Sequence, residues 1–147
     1  MTNIKLELEL AAEKDTVFAD PNQLRQVFLN LIINAADAIS SSKKKITGEI
    51  VIKSAIMLGP GSNDNPRPML KLIYIDNGPG IPQEMQSKIF DANFTTKSHG
   101  KGTGLGLYIA SQIIKKHSGT IHVTSSPGHT VFEVHLPLSV PYDVSSS

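Results

Sequence analysis

Glycine stands at every second position through Gly100-Lys101-Gly102-Thr103-Gly104-Leu105-Gly106-Leu107, and an apolar helical periodicity begins directly behind it. Along such a run no Cβ intrudes, so backbone N–H groups can close around a ligand. Set before a helix, those N–H groups and the helix dipole make an anion site suited to phosphates. Upstream, Asp76-Asn77-Gly78-Pro79-Gly80-Ile81 ends an apolar strand in a second glycine turn. The pair of glycine segments implies a nucleotide ligand held between them.

The 147 residues, 39% of them hydrophobic, suffice for one sizeable core, and residues 1–147 read as a single domain with a frayed C-terminal tail over 137–147. With 14 basic and 13 acidic residues the net charge is +1, so a nucleic-acid or anionic-membrane surface is not expected. No apolar run approaches the roughly eighteen residues of a membrane span. The chain has no cysteine, which excludes disulfide and thiolate-metal frameworks and fits the cytoplasm.

Ile4, Leu6, Leu8 and Leu10 alternate with polar residues as a half-buried strand, and Val17-Phe18-Ala19 reads as a short second one. Asp20-Pro21 supplies an N-cap and a first-turn proline for a helix running to about Ser41. Strands are expected over Glu49–Met57 and Leu70–Ile75, separated by a loop over residues 59–68. A short helix over Gln83–Ile89, an irregular stretch over 91–103 and a helix over Gly104–His117 follow. Strands near Thr120–Thr124 and Val131–Leu136 flank a Ser126-Pro127-Gly128 turn. The expected architecture is an α/β (α+β) two-layer sandwich, a mixed and mostly antiparallel sheet with three helices on one face.

The long helix carries an unusual stripe. At about 100° per residue, Gln23, Gln26, Asn30, Asn34, Asp37 and Ser41 fall within roughly 80° of one another. Leu24, Val27, Phe28, Leu31, Ile32, Ala35 and Ile39 form one apolar shoulder; Leu29, Ile33 and Ala36 form the other. A surface helix has a broad polar face. This one therefore reads as a helix buried on most sides that looks into a polar cavity, against the plainer alternative of a slim solvent-facing edge.

Asp76 can accept a hydrogen bond from an exocyclic amine such as adenine's, or satisfy its own turn through an Asx-type bond. Asn30 and Asn34 offer amide oxygens suited to a hard cation such as Mg²⁺, or are plain helix surface. Lys97 can reach a phosphate or be a solvated loop lysine. Phe90 and Phe94 read as core anchors of a mobile segment. The glycine run is neither a Rossmann fingerprint nor a Walker A loop, because no acidic residue closes a following strand and no Gly-Lys-Ser/Thr follows at the required spacing.

Taken in order, Asp20 to Ala35, Asp76 to Ile81, Ile89 to Lys97, Gly102 to Leu107 and Ser126 to Phe132 resemble the N box, first glycine box, F box, second glycine box and last glycine turn of the ATP-binding catalytic domain of bacterial sensor histidine kinases, in the Bergerat-fold superfamily of gyrase, Hsp90, histidine kinases and MutL. The resemblance spans nearly the whole chain. It implies that ATP and Mg²⁺ are bound, with Asn34 ligating the cation and Asn30 close by on the stripe. Asp76 would read the adenine amine, helped by Thr130 through water. Gly78, Gly80, Gly102, Gly104 and Gly106 would line base and phosphates, and Lys97 would face the phosphates from a lid over residues 91–103, expected to be disordered without nucleotide. Asp37, Ile81, Phe94, Thr95, Thr96, Thr103, Leu105 and Leu107 complete the implied nucleotide contacts.

Within the resemblance, ATPases of the gyrase or Hsp90 kind carry a glutamate as general base in the N box. Here Asn30 stands one turn before Asn34, and an amide cannot take up a proton. That implies a kinase half with slow hydrolysis, donating its phosphoryl group to a histidine on a dimerisation domain and thence to a response regulator, with no direct membrane contact by this domain. No histidine here is followed directly by Asp or Glu, as the acceptor typically is. The chain thus resembles a cut-out catalytic domain, Met1 being an added start, which should bind ATP without phosphorylating itself. The short link between the glycine boxes and Phe94-Thr95-Thr96-Lys97 look most like kinases regulating nitrogen or related metabolism.

Overall fold

The structure, a computed structural model, describes residues 4–10, 21–42, 47–59, 67–92 and 105–137. Five strands, β1 (Ile4–Leu10), β2 (Gly48–Gly59), β3 (Arg67–Asp76), β4 (Thr120–Ser126) and β5 (His129–Pro137), form one sheet in the order β1-β2-β3-β5-β4. β1 runs parallel to β2, and the other three pairings are antiparallel. Three helices accompany them: α1 (Pro21–Ser40), α2 (Gln83–Gln86) and α3 (Gly106–Lys116). The mixed, mostly antiparallel sandwich expected from the sequence is the observed fold.

Val27, Leu31, Ala35 and Ile39 recur every four residues along α1 and are buried, as one face of a helix must be. They pack with Ala110 and Ile114 of α3 onto Ile50 and Ile52 of β2, Leu70, Leu72 and Tyr74 of β3, and Phe132, Val134 and Leu136 of β5. Phe90 meets Phe132 edge to face, with ring centroids 6.1 Å apart, which bears out its reading as a core anchor. The opposite sheet face carries polar contacts, Lys71 Nζ of β3 to Glu133 Oε1 of β5 at 3.6 Å and, within β5, His135 Nε2 to Glu133 Oε2 at 2.7 Å. No helix among the described residues is long and apolar enough to cross a membrane.

Several boundaries differ from expectation. The β2–β3 hairpin is longer, pairing out to Gly59 and Arg67. α2 is a single turn. Beyond it, the N–H groups of Lys88 and Asp91 bond three residues back, to Met85 and Lys88, and these tighter turns deliver Ile89 into the core. Pro137, assigned to the tail, is the last residue of β5 and pairs with Met69. The second apolar shoulder of α1 is only partly covered: Ala36 packs half-buried against the core, but Leu29 is 49% exposed and Ile33 46%. α3 meets α1 through the Asn30–Gly106 bond and through Ala110 and Ile114 in the shared core. The strand expected at Val17–Ala19 lies outside the described residues, as does most of the 91–103 stretch.

Candidate functional site

The core-facing row shared by β3 and β5 runs Leu70–Leu136, Leu72–Val134, Tyr74–Phe132 and ends at Asp76–Thr130. Three apolar pairs are thus followed by one polar pair where β3 enters its glycine turn. Asp76 and Thr130 are each only 3% exposed. Asp76 Oδ1 accepts the Gly78 N–H at 2.9 Å. The Asx-type bond is therefore real, and it takes one oxygen of a carboxylate that has two. Burial pushes the Asp76 carboxyl above its ordinary value, against the opposing pull of the Gly78 N–H and the charge of His129.

The turn is held from three sides. Asn77 acts as an extra rung of the sheet: its Oδ1 accepts the Glu49 N–H at 2.7 Å and its Nδ2 donates to the Thr47 carbonyl at 2.8 Å. Gly78 lies against α1, where a Cβ would come 3.3 Å from that of Ala38 and 2.9 Å from Asp76 Oδ1. Gly80 has φ +91°, and a Cβ there would meet the Ser126 carbonyl oxygen at 2.7 Å, so only glycine fits. Ile81, half-buried, donates its N–H to Ser125 Oγ at 2.8 Å, and its carbonyl accepts from Gln86 Nε2 at 2.9 Å.

On α1, Asn30 reaches across to α3. Its Nδ2 donates to the Gly106 carbonyl at 3.0 Å, and its Oδ1 accepts from Gln26 Nε2 at 2.8 Å. Gln23, Asn34 and Asp37 are half-buried along the same stripe, whereas Gln26 and Ser41 are exposed. Ser41 Oγ turns back onto the Ala38 carbonyl. Gly106 begins α3, with Leu105 before it and Leu107, half-buried, packed onto the core behind it. Phe94, Thr95, Thr96, Lys97, Gly102, Thr103 and Gly104 lie outside the described residues.

The described candidates are strung along α1: the turn with Asp76, Gly78, Gly80, Ile81 and Thr130 meets it at Ala38, and the start of α3 with Leu105, Gly106 and Leu107 meets it at Asn30, with Asn34 and Asp37 on the helix between the two and beside Ala38. Sequence reasoning missed Gln86 and Ser125, and placed Gln26 on the stripe without its bond to Asn30. A signal existed for Ser125, which follows Ile121 and Val123 on the core-facing row of β4; a hydroxyl there needs a partner.

Residues 19–140 match the family described as histidine kinase-, DNA gyrase B-, and HSP90-like ATPase. The chain belongs to that family, and its fold is that of a sensor histidine kinase's ATP-binding catalytic domain. The sensory histidine kinase/phosphatase NtrB of Azospirillum brasilense is 41% identical over 127 residues, covering 83% of this chain and 30% of that protein. NtrB of Escherichia coli O157:H7 is 35% identical over 137 residues, covering 92% of this chain and 38% of that one. The chain therefore spans about a third of the length of the curated relatives it matches. The nucleotide-free catalytic domain of histidine kinase ThkA superposes with a TM-score of 0.72 at 34% identity, covering 92% of this chain and 80% of that domain. The same kinase in complex with the response regulator TrrA gives 0.69 at 29% identity, covering 92% and 34%.

Proposed function

We propose that this chain binds ATP–Mg²⁺ and delivers the γ-phosphoryl group to a histidine on a dimerisation domain outside it. The observation that carries the reading is the buried Asp76–Thr130 pair at the mouth of a glycine turn packed against α1. A carboxylate there accepts the adenine amine. The base lies flat against Gly78 and Gly80, bordered by Ile81, and the triphosphate extends along α1 toward the start of α3. There the backbone of Leu105, Gly106 and Leu107 faces it, with Phe94, Thr95, Thr96, Lys97, Gly102, Thr103 and Gly104 supplied by the intervening lid.

The donor set on α1 fits a magnesium ion. Asn34 lies one turn beyond Asn30 on the same stripe, half-buried, with a hard amide oxygen beside the carboxylate-bearing Asp37. Bound there, the ion would neutralise phosphate charge. Asn30 is committed to Gly106 and Gln26, and as an amide it cannot deprotonate water, which argues against a hydrolase of the gyrase kind. Chemistry then rests on positioning and charge. An imidazole nitrogen of the acceptor histidine bonds to the γ-phosphorus as the bond to the β-phosphate oxygen breaks, and ADP leaves. The phosphohistidine passes its group to an aspartate of a response regulator, a partner held by ThkA in its complex with TrrA. ATP and such a regulator are cytoplasmic, and the domain works there.

Mixing this chain with the histidine hairpin of an NtrB relative and γ-labelled ATP should put label on the histidine. Nucleotide binding with no label on the hairpin would overturn the reading.

A further inference from the structure

From the hydroxyl chain at the end of β4 we infer that Ser125 sets the preference for adenine over guanine, by fixing which way the Thr130 hydroxyl donates. The inference rests on the proposed adenine site and names a residue behind it.

Ser125 pairs with Thr130 across the β4–β5 ladder, and their hydroxyl oxygens stand 2.8 Å apart. Ser125 Oγ also accepts the Ile81 N–H at 2.8 Å. An amide N–H can only donate, so Ser125 Oγ gives one lone pair to Ile81. Either hydroxyl of the 2.8 Å pair could supply the proton between them, and donation by Ser125 is the direction in which its own proton has an acceptor among the described contacts. Thr130, accepting from Ser125, then has its own proton to offer into the site. Asp76 lies directly opposite Thr130 in the β3–β5 ladder. The rim therefore presents an acceptor, the Asp76 carboxylate, beside a donor, the Thr130 O–H.

That order matches one purine edge and opposes the other. Adenine offers its amine as donor next to a ring nitrogen that accepts. Guanine offers a carbonyl acceptor next to a ring N–H, which sets oxygen against carboxylate. Were Thr130 free to turn, it could accept as readily as donate, and half of the discrimination would vanish. Ser125 touches no ligand in this scheme; it is a positioning residue.

Gln86 separates this role from a merely structural one. Its Nε2 donates to the Ile81 carbonyl at 2.9 Å and to the Ser125 carbonyl at 3.2 Å. It thus braces the same turn through main-chain atoms and leaves the hydroxyl chain alone.

The experiment is titration of ATP–Mg²⁺ and GTP–Mg²⁺ into this chain and into Ser125→Ala, Ser125→Thr, Ser125→Cys and Gln86→Ala, with a thermal midpoint for each. Ser125→Ala should narrow the ATP:GTP affinity ratio about tenfold, the worth of one hydrogen bond. Ser125→Thr keeps the hydroxyl and should keep the ratio. Gln86→Ala should lower both affinities and the midpoint together, at constant ratio. If Ser125→Ala does not fold, Ser125→Cys substitutes a weak donor of similar size and should narrow the ratio too. A ratio unchanged in the folded Ala or Cys variant, or lost equally in Ser125→Thr, overturns the inference. An unsubstituted chain that binds GTP as well as ATP overturns the adenine site itself, a different result read from a different sample.

Discussion

The side-chain amide of Asn30 donates to the backbone carbonyl of Gly106 across 3.0 Å, tying the polar stripe of α1 to the first residue of α3. Gln26 occupies the other end of the same amide at 2.8 Å. Asn30 is thus a strut between two helices at the place where phosphates would arrive. Replacing it with alanine removes both bonds and frees the start of α3. Asn30→Ala should cost about 1–2 kcal/mol of ATP binding, a five- to thirtyfold rise in Kd, with phosphate release by the isolated chain staying as slow as before. A Kd unchanged in calorimetric titration would separate the strut from nucleotide binding, and a fall in hydrolysis on losing Asn30 would favour the hydrolase reading.

Asp76 couples binding to pH. Its folded pKa is raised, chiefly by burial, so the neutral acid is favoured in the folded state. The stability this confers is complete below the unfolded pKa and is lost as pH rises through the folded one. At neutral pH the buried carboxylate therefore weighs against the fold, while the proposed contact with the adenine amine needs that same carboxylate. Asp76→Asn keeps an oxygen for the Gly78 N–H and removes the charge. It should raise the melting temperature of the nucleotide-free chain at about pH 7 and lower ATP affinity at least tenfold. In the unsubstituted chain ATP affinity should fall on acidification, at a pH above the ordinary carboxylate range; in Asp76→Asn that dependence should flatten. Thermal melts and titrations at stepped pH check both halves. A variant that melts no higher would show that burial is not what holds the carboxyl up.

How much of this was legible in the chain follows from how far each contact reaches. Asp76 was legible because strand alternation and a glycine turn are local signals that meet there, and the stripe on α1 because a helix repeats every few residues. The tie from Asn30 to Gly106 spans 76 residues, and no local period encodes it. The exposure of Leu29 and Ile33 was misread for the same reason: an apolar shoulder records what could be covered, and the tertiary contacts that decide it are not local. Gln86 left no signal, since its amide bonds to main-chain carbonyls that any residue would supply.

Two glycines with positive φ make an internal comparison. Gly80 (φ +91°) has the Ser126 carbonyl oxygen 2.7 Å from where a Cβ would stand; Gly128 (φ +80°) has open space around it. Alanine at Gly128 adds backbone strain alone, about 1 kcal/mol. At Gly80 it adds that strain and a main-chain clash that can be relieved only by moving the turn off β4, about 2–4 kcal/mol in all. Gly80→Ala should therefore melt several degrees below Gly128→Ala and bind ATP more weakly, because the displaced turn carries the proposed adenine site. Equal midpoints in parallel melts would mean that the turn moves without resistance.

Asn34 is the sharpest test of the cation. It stands four residues beyond Asn30, on the same face of α1 and half-buried. Of the half-buried neutral amides on that face, Asn30 has its oxygen taken by Gln26 and Gln23 lies three turns back; Asp37 lies nearly a further turn along. A neutral ligand suits an ion whose charge is already matched by phosphate oxygens, and it leaves nothing to repel the nucleotide when the ion is absent. Asn34→Ala should therefore weaken ATP binding about tenfold in magnesium and hardly at all in chelator, collapsing the difference between the two conditions. Asn34→Asp should do the opposite in chelator, binding ATP less well there than the unsubstituted chain, since carboxylate and triphosphate repel, and recovering when magnesium is added. Paired titrations with and without the metal read both variants. If Asn34→Ala keeps the full magnesium dependence, the ligand is another residue, and α1 contributes shape rather than coordination.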